Sequence, residues 1–135
     1  MIYIFDVDGT LTPSRGRMDK KFAKFFLEFV TEHECYMITG SDRPKTLEQI
    51  PKNIYDMCLK VYQCSGNHVF QRDKELYKNN WVLPDKHRWW LLAELSNSKF
   101  MSKTGDHFDQ RTGLINFSVL GHNGSPLGRE NYIQW

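Results

Sequence analysis

Four apolar residues, Ile2-Tyr3-Ile4-Phe5, run straight into Asp6-Val7-Asp8-Gly9-Thr10. The β-branched and aromatic run predicts a buried strand over Ile2 to Phe5, and the acid-rich string with its glycine ends it. Two carboxylates are therefore predicted just beyond a strand's C-terminal end. A turn beginning at Asp6 brings both acids toward one cavity, and Gly9 supplies the backbone freedom for it.

The next segments alternate in period. From Met18 to His33, Phe22, Phe25, Phe26, Phe29 and Val30 recur at three- and four-residue intervals between charged residues, which predicts an amphipathic helix. A strand is predicted over Tyr36 to Thr39, then a helix around Pro44 to Gln49 capped by Ser41 or Asp42, then a strand over Leu59 to Cys64. This strand, helix, strand, helix, strand order predicts a Rossmann-like, doubly wound α/β sheet, whose sites form beyond the carboxyl ends of parallel strands.

The pattern then changes. Val69 to Gln71 and Leu76 to Tyr77 flank Arg72-Asp73-Lys74-Glu75 and read as a hairpin. A helix carrying Trp89, Leu92, Ala93 and Leu95 is predicted after Pro84, with the Trp89-Trp90 pair assigned to packing. Two strands, Asp106 to Gln110 and Leu114 to Leu120, join across Arg111-Thr112-Gly113; alternation in the second predicts one buried and one polar face. Polar residues from Asn79 to Pro84 mark a boundary, giving units of 1–80 and 81–135, the second an α+β unit.

Hard oxygen ligands of the Asp6 and Asp8 kind suit Mg²⁺, which takes one or two protein carboxylates and fills its shell with water and phosphate. One acid can then attack phosphorus while the other shuttles a proton. On spacing alone the lesser alternative is a turn merely capped by two aspartates, since Asp and Gly are common turn residues.

Composition excludes several classes. A net charge of +2, with scattered basic residues, makes no case for nucleic-acid binding. No apolar run approaches the ~18 residues that span a bilayer, so neither membrane insertion nor secretion is expected. Cys35, Cys58 and Cys64 are odd in number and lack CxxC spacing, which reads as reduced thiols and predicts a cytoplasmic location.

The full string Phe5-Asp6-Val7-Asp8-Gly9-Thr10-Leu11-Thr12 resembles the first motif of the haloacid dehalogenase superfamily. The resemblance implies that Asp6 forms an aspartyl-phosphate and that Asp8 is the general acid/base. It also implies Mg²⁺ held by the Asp6 side chain and the Asp8 backbone carbonyl. A Thr or Ser of the second motif binds the transferring phosphoryl group; Met37-Ile38-Thr39-Gly40-Ser41-Asp42 offers Thr39 by the general pattern and Ser41 by that of the phosphomannomutase branch.

Thr12-Pro13-Ser14-Arg15, the hairpin after the third strand, and Phe108 to Ser118 are also similar to the phosphomannomutase branch. By that resemblance 1–80 is the front of a catalytic core and 81–135 the first part of an inserted α+β cap. Arg15, Arg111 and Arg129 match substrate-binding arginines, suited to phosphate by their planar bidentate geometry. At a further such position this chain has His122, after Leu120-Gly121, which carries charge only when protonated.

Members of that branch run on past this length to a third-motif Lys and fourth-motif acids, so the chain is read as the front part of a longer protein. The implied activity is Mg²⁺-dependent interconversion of hexose (mannose) 6-phosphate and 1-phosphate, with a homodimer formed through the cap. Two alternatives are a sugar-phosphate phosphatase of the same superfamily and a non-catalytic remnant that binds phospho-sugars or a partner.

Overall fold

A computed structural model describes residues 1–135. The chain divides into two compact units, Met1–Asn80 and Trp81–Trp135.

The first unit is built on one five-stranded sheet in the order β1 (Ile2–Asp6), β2 (Glu34–Ile38), β3 (Lys60–Gln63), β4 (His68–Gln71), β5 (Lys74–Lys78). The β1–β2 and β2–β3 pairs are parallel, with Asp6 opposite Ile38, whereas β3, β4 and β5 run antiparallel to one another. Crossovers come from α1 (Lys20–Glu32), α2 (Arg43–Gln49) and α3 (Lys52–Met57). Asp19 caps α1, its Oδ1 accepting from the backbone N–H of Lys21 at 2.9 Å and of Phe22 at 3.0 Å.

The core lies on one face of this sheet. Phe26 and Val30 of α1 and Ile54 and Tyr55 of α3 join Cys35, Met37 and Val61 in a single buried cluster. Phe5 meets Phe26 edge-on at 5.0 Å, and Tyr3 meets Phe29 likewise at 5.0 Å. All three cysteines are free and buried; burial, with Cys35 adding to it, pushes the Cys58 thiol up to about 12.

The expectation of a wholly buried first strand is corrected here. Tyr3 and Phe5 pack inward, but Ile2 and Ile4 are 60% and 67% exposed. Their face continues through Tyr36, Ile38, Lys60 and Tyr62 as a shallow cleft of about 400 Å³. A run of apolar residues signals a strand buried on both faces only if both are covered, and helices α1 and α3 cover one.

The second unit holds α4 (Asp85–Asn97), a two-stranded antiparallel ribbon of β6 (Phe108–Arg111) and β7 (Leu114–Phe117), and α5 (Pro126–Gln134). β7 stops at Phe117 rather than Leu120 because β6 offers partners only from Phe108 to Arg111. On α4, Leu95 is buried, but Trp89 and Trp90 are 70% and 60% exposed, contrary to the packing role expected of them. No helix is long and apolar enough to cross a membrane.

Candidate functional site

Asp6 is the last residue of β1, and its side chain is exposed at the strand's C-terminal end. The chain then folds tightly around one acceptor. The Val7 carbonyl takes the backbone N–H of Leu11 and Thr12, each at 3.0 Å, and the Thr12 hydroxyl at 3.3 Å. Gly9 donates to the Thr12 carbonyl at 2.8 Å from φ +80°, a left-handed conformation that glycine adopts without a Cβ penalty. Val7, Leu11 and Thr12 are buried, so a rigid loop follows the nucleophile candidate.

This loop presents Asp8 half-buried and fixed. Its Oδ1 accepts the backbone N–H of Arg15 at 2.6 Å and the side-chain amide of Gln49 at 2.8 Å. Arg15 itself has φ +58° and an exposed side chain, so its contact with Asp8 is made by its backbone rather than its guanidinium.

Register places the β2–α2 loop beside Asp6, because Asp6 pairs with Ile38 and Thr39 follows at once. Thr39 is buried; its N–H donates to the Tyr62 carbonyl at 2.9 Å, and its Oγ1 accepts the Ser41 N–H at 3.1 Å. The loop is laced to the turn after β3: Ser65 donates to the Thr39 carbonyl and Cys64 to the Ser41 carbonyl, each at 2.9 Å. Asp42, not Ser41, caps α2, accepting from the Lys45 N–H at 3.0 Å. Ser41 remains half-buried at the lip of this loop.

Asp6 and Asp8 each offer hard oxygens at the end of β1, two residues apart. Nowhere does the structure gather three or more His, Cys, Asp or Glu side chains into a metal-binding group. Such a pair fits a cation that draws the rest of its shell from water and phosphate, as Mg²⁺ does, and does not amount to a closed protein cage.

The second unit collects the other candidates. Asp109 and Asn116 face each other across the β6–β7 ribbon. Asp109 Oδ2 accepts from Arg111 Nε at 2.8 Å and from Asn116 Nδ2 at 3.3 Å, and forms an ion pair with the Arg111 guanidinium at 2.7 Å. Partial burial alone would raise the Asp109 carboxyl; the hydrogen bonds from Arg111 and Asn116 and the nearby Arg111 and His122 outweigh that and hold it below its ordinary value.

His122 Nε2 lies 3.1 Å from the Asn116 carbonyl. Arg129 donates to the His122 carbonyl at 2.7 Å and the Gly124 carbonyl at 3.2 Å. At Gly121, φ is +103° and a Cβ would lie 1.8 Å from the Thr104 carbonyl oxygen, so only glycine permits the approach that turns His122 back toward the ribbon. Arg111, His122 and Arg129 thus belong to one connected polar surface.

Sequence reasoning missed Gln49 and Asp109. Gln49 has no motif signal and is read only as the last residue of a helix; Asp109 lies within the Phe108 to Ser118 stretch, where Arg111 carries the reading by its place before the turn.

No protein-family model matches the chain. Among curated proteins it is 29% identical over 140 residues to the phosphomannomutase of Saccharomyces cerevisiae, an alignment covering 99% of this chain and 55% of that protein. It is 28% identical over 148 residues to phosphomannomutase 1 of Dictyostelium discoideum, covering 99% and 56%. The chain spans about half the length of the curated relatives it matches.

Among solved structures, a trehalose-6-phosphate phosphatase related protein superposes with a TM-score of 0.54 over 99% of this chain and 59% of that one, at 15% identity. IMP-nucleotidase of Plasmodium falciparum gives 0.55 over 84% and 37%, at 14% identity. A haloacid dehalogenase-like hydrolase of Bacteroides thetaiotaomicron gives 0.50 over 70% and 38%, at 15% identity. The chain is thus similar in sequence to phosphomannomutases over about half of their length, and it shares the Rossmann-like α/β fold of these solved structures.

Proposed function

We propose that this chain carries the nucleophile and acid/base half of a Mg²⁺-dependent sugar-phosphate phosphotransferase, interconverting hexose 6-phosphate and 1-phosphate. In this reading Met1–Asn80 is the front of a catalytic core and Trp81–Trp135 the first part of a cap. One observation carries it: an exposed Asp6 ends a parallel strand, and two residues on Asp8 is held by two donors to one oxygen. The full-length similarity of this chain to curated phosphomannomutases supports the same assignment.

The Asp6 carboxylate attacks the phosphorus of a sugar phosphate while Asp8 protonates the departing sugar oxygen. Asp8 then takes the proton of the sugar hydroxyl that receives the phosphoryl group back from Asp6. Thr39 and Ser41 flank the transferring group from the neighbouring strand. Mg²⁺, held by the Asp6 side chain and the Asp8 backbone carbonyl, would offset the repulsion between carboxylate and phosphate.

In the second unit Arg111, His122 and Arg129 hold the distal phosphate. A location in the cytoplasm and dimerisation through the second unit accompany this reading.

A phosphatase reading rests on the same surface. Arg111 is already paired with Asp109, and His122 stands where the resemblance implies an arginine, so a weaker distal grip would leave water to attack the phospho-aspartate. The deciding experiment gives the full-length protein that carries this chain mannose 1-phosphate, a trace of hexose 1,6-bisphosphate and Mg²⁺, and follows mannose 6-phosphate and inorganic phosphate together. Isomerisation supports the mutase; phosphate release without isomerisation rejects it in favour of hydrolysis, and the absence of both rejects catalysis by this chain.

A further inference from the structure

Gln49 ends α2 far along the chain from the acids, yet it is bonded to the loop that carries them. It is 2% exposed. Its side-chain amide donates to Asp8 Oδ1 at 2.8 Å and reaches the Thr12 hydroxyl at 3.4 Å, while its backbone carbonyl accepts the Met18 N–H at 2.8 Å. One residue thus clamps both ends of the segment from Asp8 to Met18.

The arrangement has a cost. With its NH₂ turned to Asp8, the Gln49 Oε1 is buried and accepts no hydrogen bond. A buried acceptor left without a donor is unfavourable, because it has given up its hydrogen bonds to water for nothing in return. Turning the amide over would set Oε1 against the Asp8 carboxylate, acceptor against acceptor, so the orientation seen is the one that serves Asp8. Buried orphans in a folded protein call for such an explanation.

Both donors to Asp8, the Gln49 amide and the Arg15 N–H, converge on Oδ1. A carbonyl-type oxygen accepts hydrogen bonds whether the acid is ionised or protonated on its other oxygen. Donors gathered on Oδ1 therefore leave the proton to come and go at Oδ2 with no rearrangement of the clamp.

We propose that Gln49 is a positioning residue that, with the Arg15 N–H, locks the Asp8 carboxyl so that Oδ2 is the proton-transferring atom. The proposal rests on the reading of Asp8 as general acid/base. In the forward half-step the Oδ2–H proton passes to the sugar oxygen as its bond to phosphorus breaks and the bond from Asp6 to phosphorus forms. In the return half-step Oδ2 takes the proton of the sugar hydroxyl as it attacks the phospho-aspartate.

Gln49→Met keeps length and volume and removes the donor. The first measurement is the set of three-bond NMR couplings across the Asp8 Cα–Cβ bond in wild type and variant, with thermal melting as the control for folding. A single Asp8 rotamer in the wild type and averaged rotamers in a folded Gln49→Met chain are expected. The second is Mg²⁺-dependent turnover of mannose 1-phosphate, where kcat falls about 10- to 100-fold with KM within about threefold.

An Asp8 rotamer that stays single in Gln49→Met, or an unchanged kcat, overturns the positioning role. A wild-type full-length protein with no turnover overturns the phosphotransfer reading instead, and the couplings still decide whether Gln49 holds Asp8.

Discussion

Gln63 donates from Nε2 to the Tyr55 hydroxyl at 3.1 Å, with both side chains fully buried. The same Gln63 accepts the Thr46 hydroxyl at 3.1 Å, so one polar chain links α2, α3 and β3 beneath the candidate site. Such networks specify a single packing arrangement when every member is satisfied.

Tyr55→Phe removes the acceptor and strands the Gln63 amide. The expected loss is about 1–3 kcal/mol, read as a lower midpoint in urea with an unchanged slope. The Arg43 guanidinium, 5.6 Å from the Tyr55 ring centroid and 5.0 Å from that of Phe70, retains an aromatic partner in the variant. A wild-type midpoint in Tyr55→Phe would show that this buried bond contributes nothing.

Asp6→Asn removes the proposed nucleophile without changing side-chain size. Because Asp6 is exposed, melting should stay within about 0.5 kcal/mol of wild type. Turnover of mannose 1-phosphate in Mg²⁺ should vanish. Full activity in the purified variant would remove Asp6 from the chemistry.

Acid should loosen the second unit through Asp109. Its carboxyl is held below the ordinary value of about 3.9, so its contribution is present above that pH and is lost as pH falls through the lowered folded value. Far-UV and near-UV dichroism between pH 5 and pH 2 should show Asp109→Asn losing less stability over this interval than wild type. Parallel acid profiles for the two proteins would refute the linkage.

Ile4→Lys tests the open face of the sheet. With Ile4 67% exposed, the substitution should leave melting almost unchanged while lowering concentration-dependent light scattering. Equal scattering from both proteins would mean that this face does not drive association.

Much of the first unit was legible because its periods are strong. The phenylalanines of α1 mark a helix, and short β-branched runs ending in Asp or Gly mark β1 and β2. α3 escaped because six residues carry too little of a 3.6-residue period to stand out, and it begins after Pro51 without a side-chain cap. Which side of β1 is covered was illegible for a different reason: Ile2 and Tyr3 look alike as apolar residues, and coverage depends on where α1 and α3 cross.

At the candidate site the acids were legible as a motif, but their support was not. Gln49 and Gln63 act through burial and hydrogen bonding, which no local pattern encodes. Arg129 shows the converse: its charge was legible, while its bonds to the His122 and Gly124 carbonyls depend on the fold of the intervening turn.

Because β1 pairs only with β2, Asp6 stands at the margin of the sheet. On one flank the laced segment of Thr39, Ser41 and Ser65 is fixed in place; on the other, the N–H and C=O groups of β1 face outward along the strand that ends at Asp6. The site is thus built on a single side. A strand that added to β1 would pair along the edge that ends at Asp6, so the open flank of the candidate nucleophile would be covered by the same event that extends the sheet.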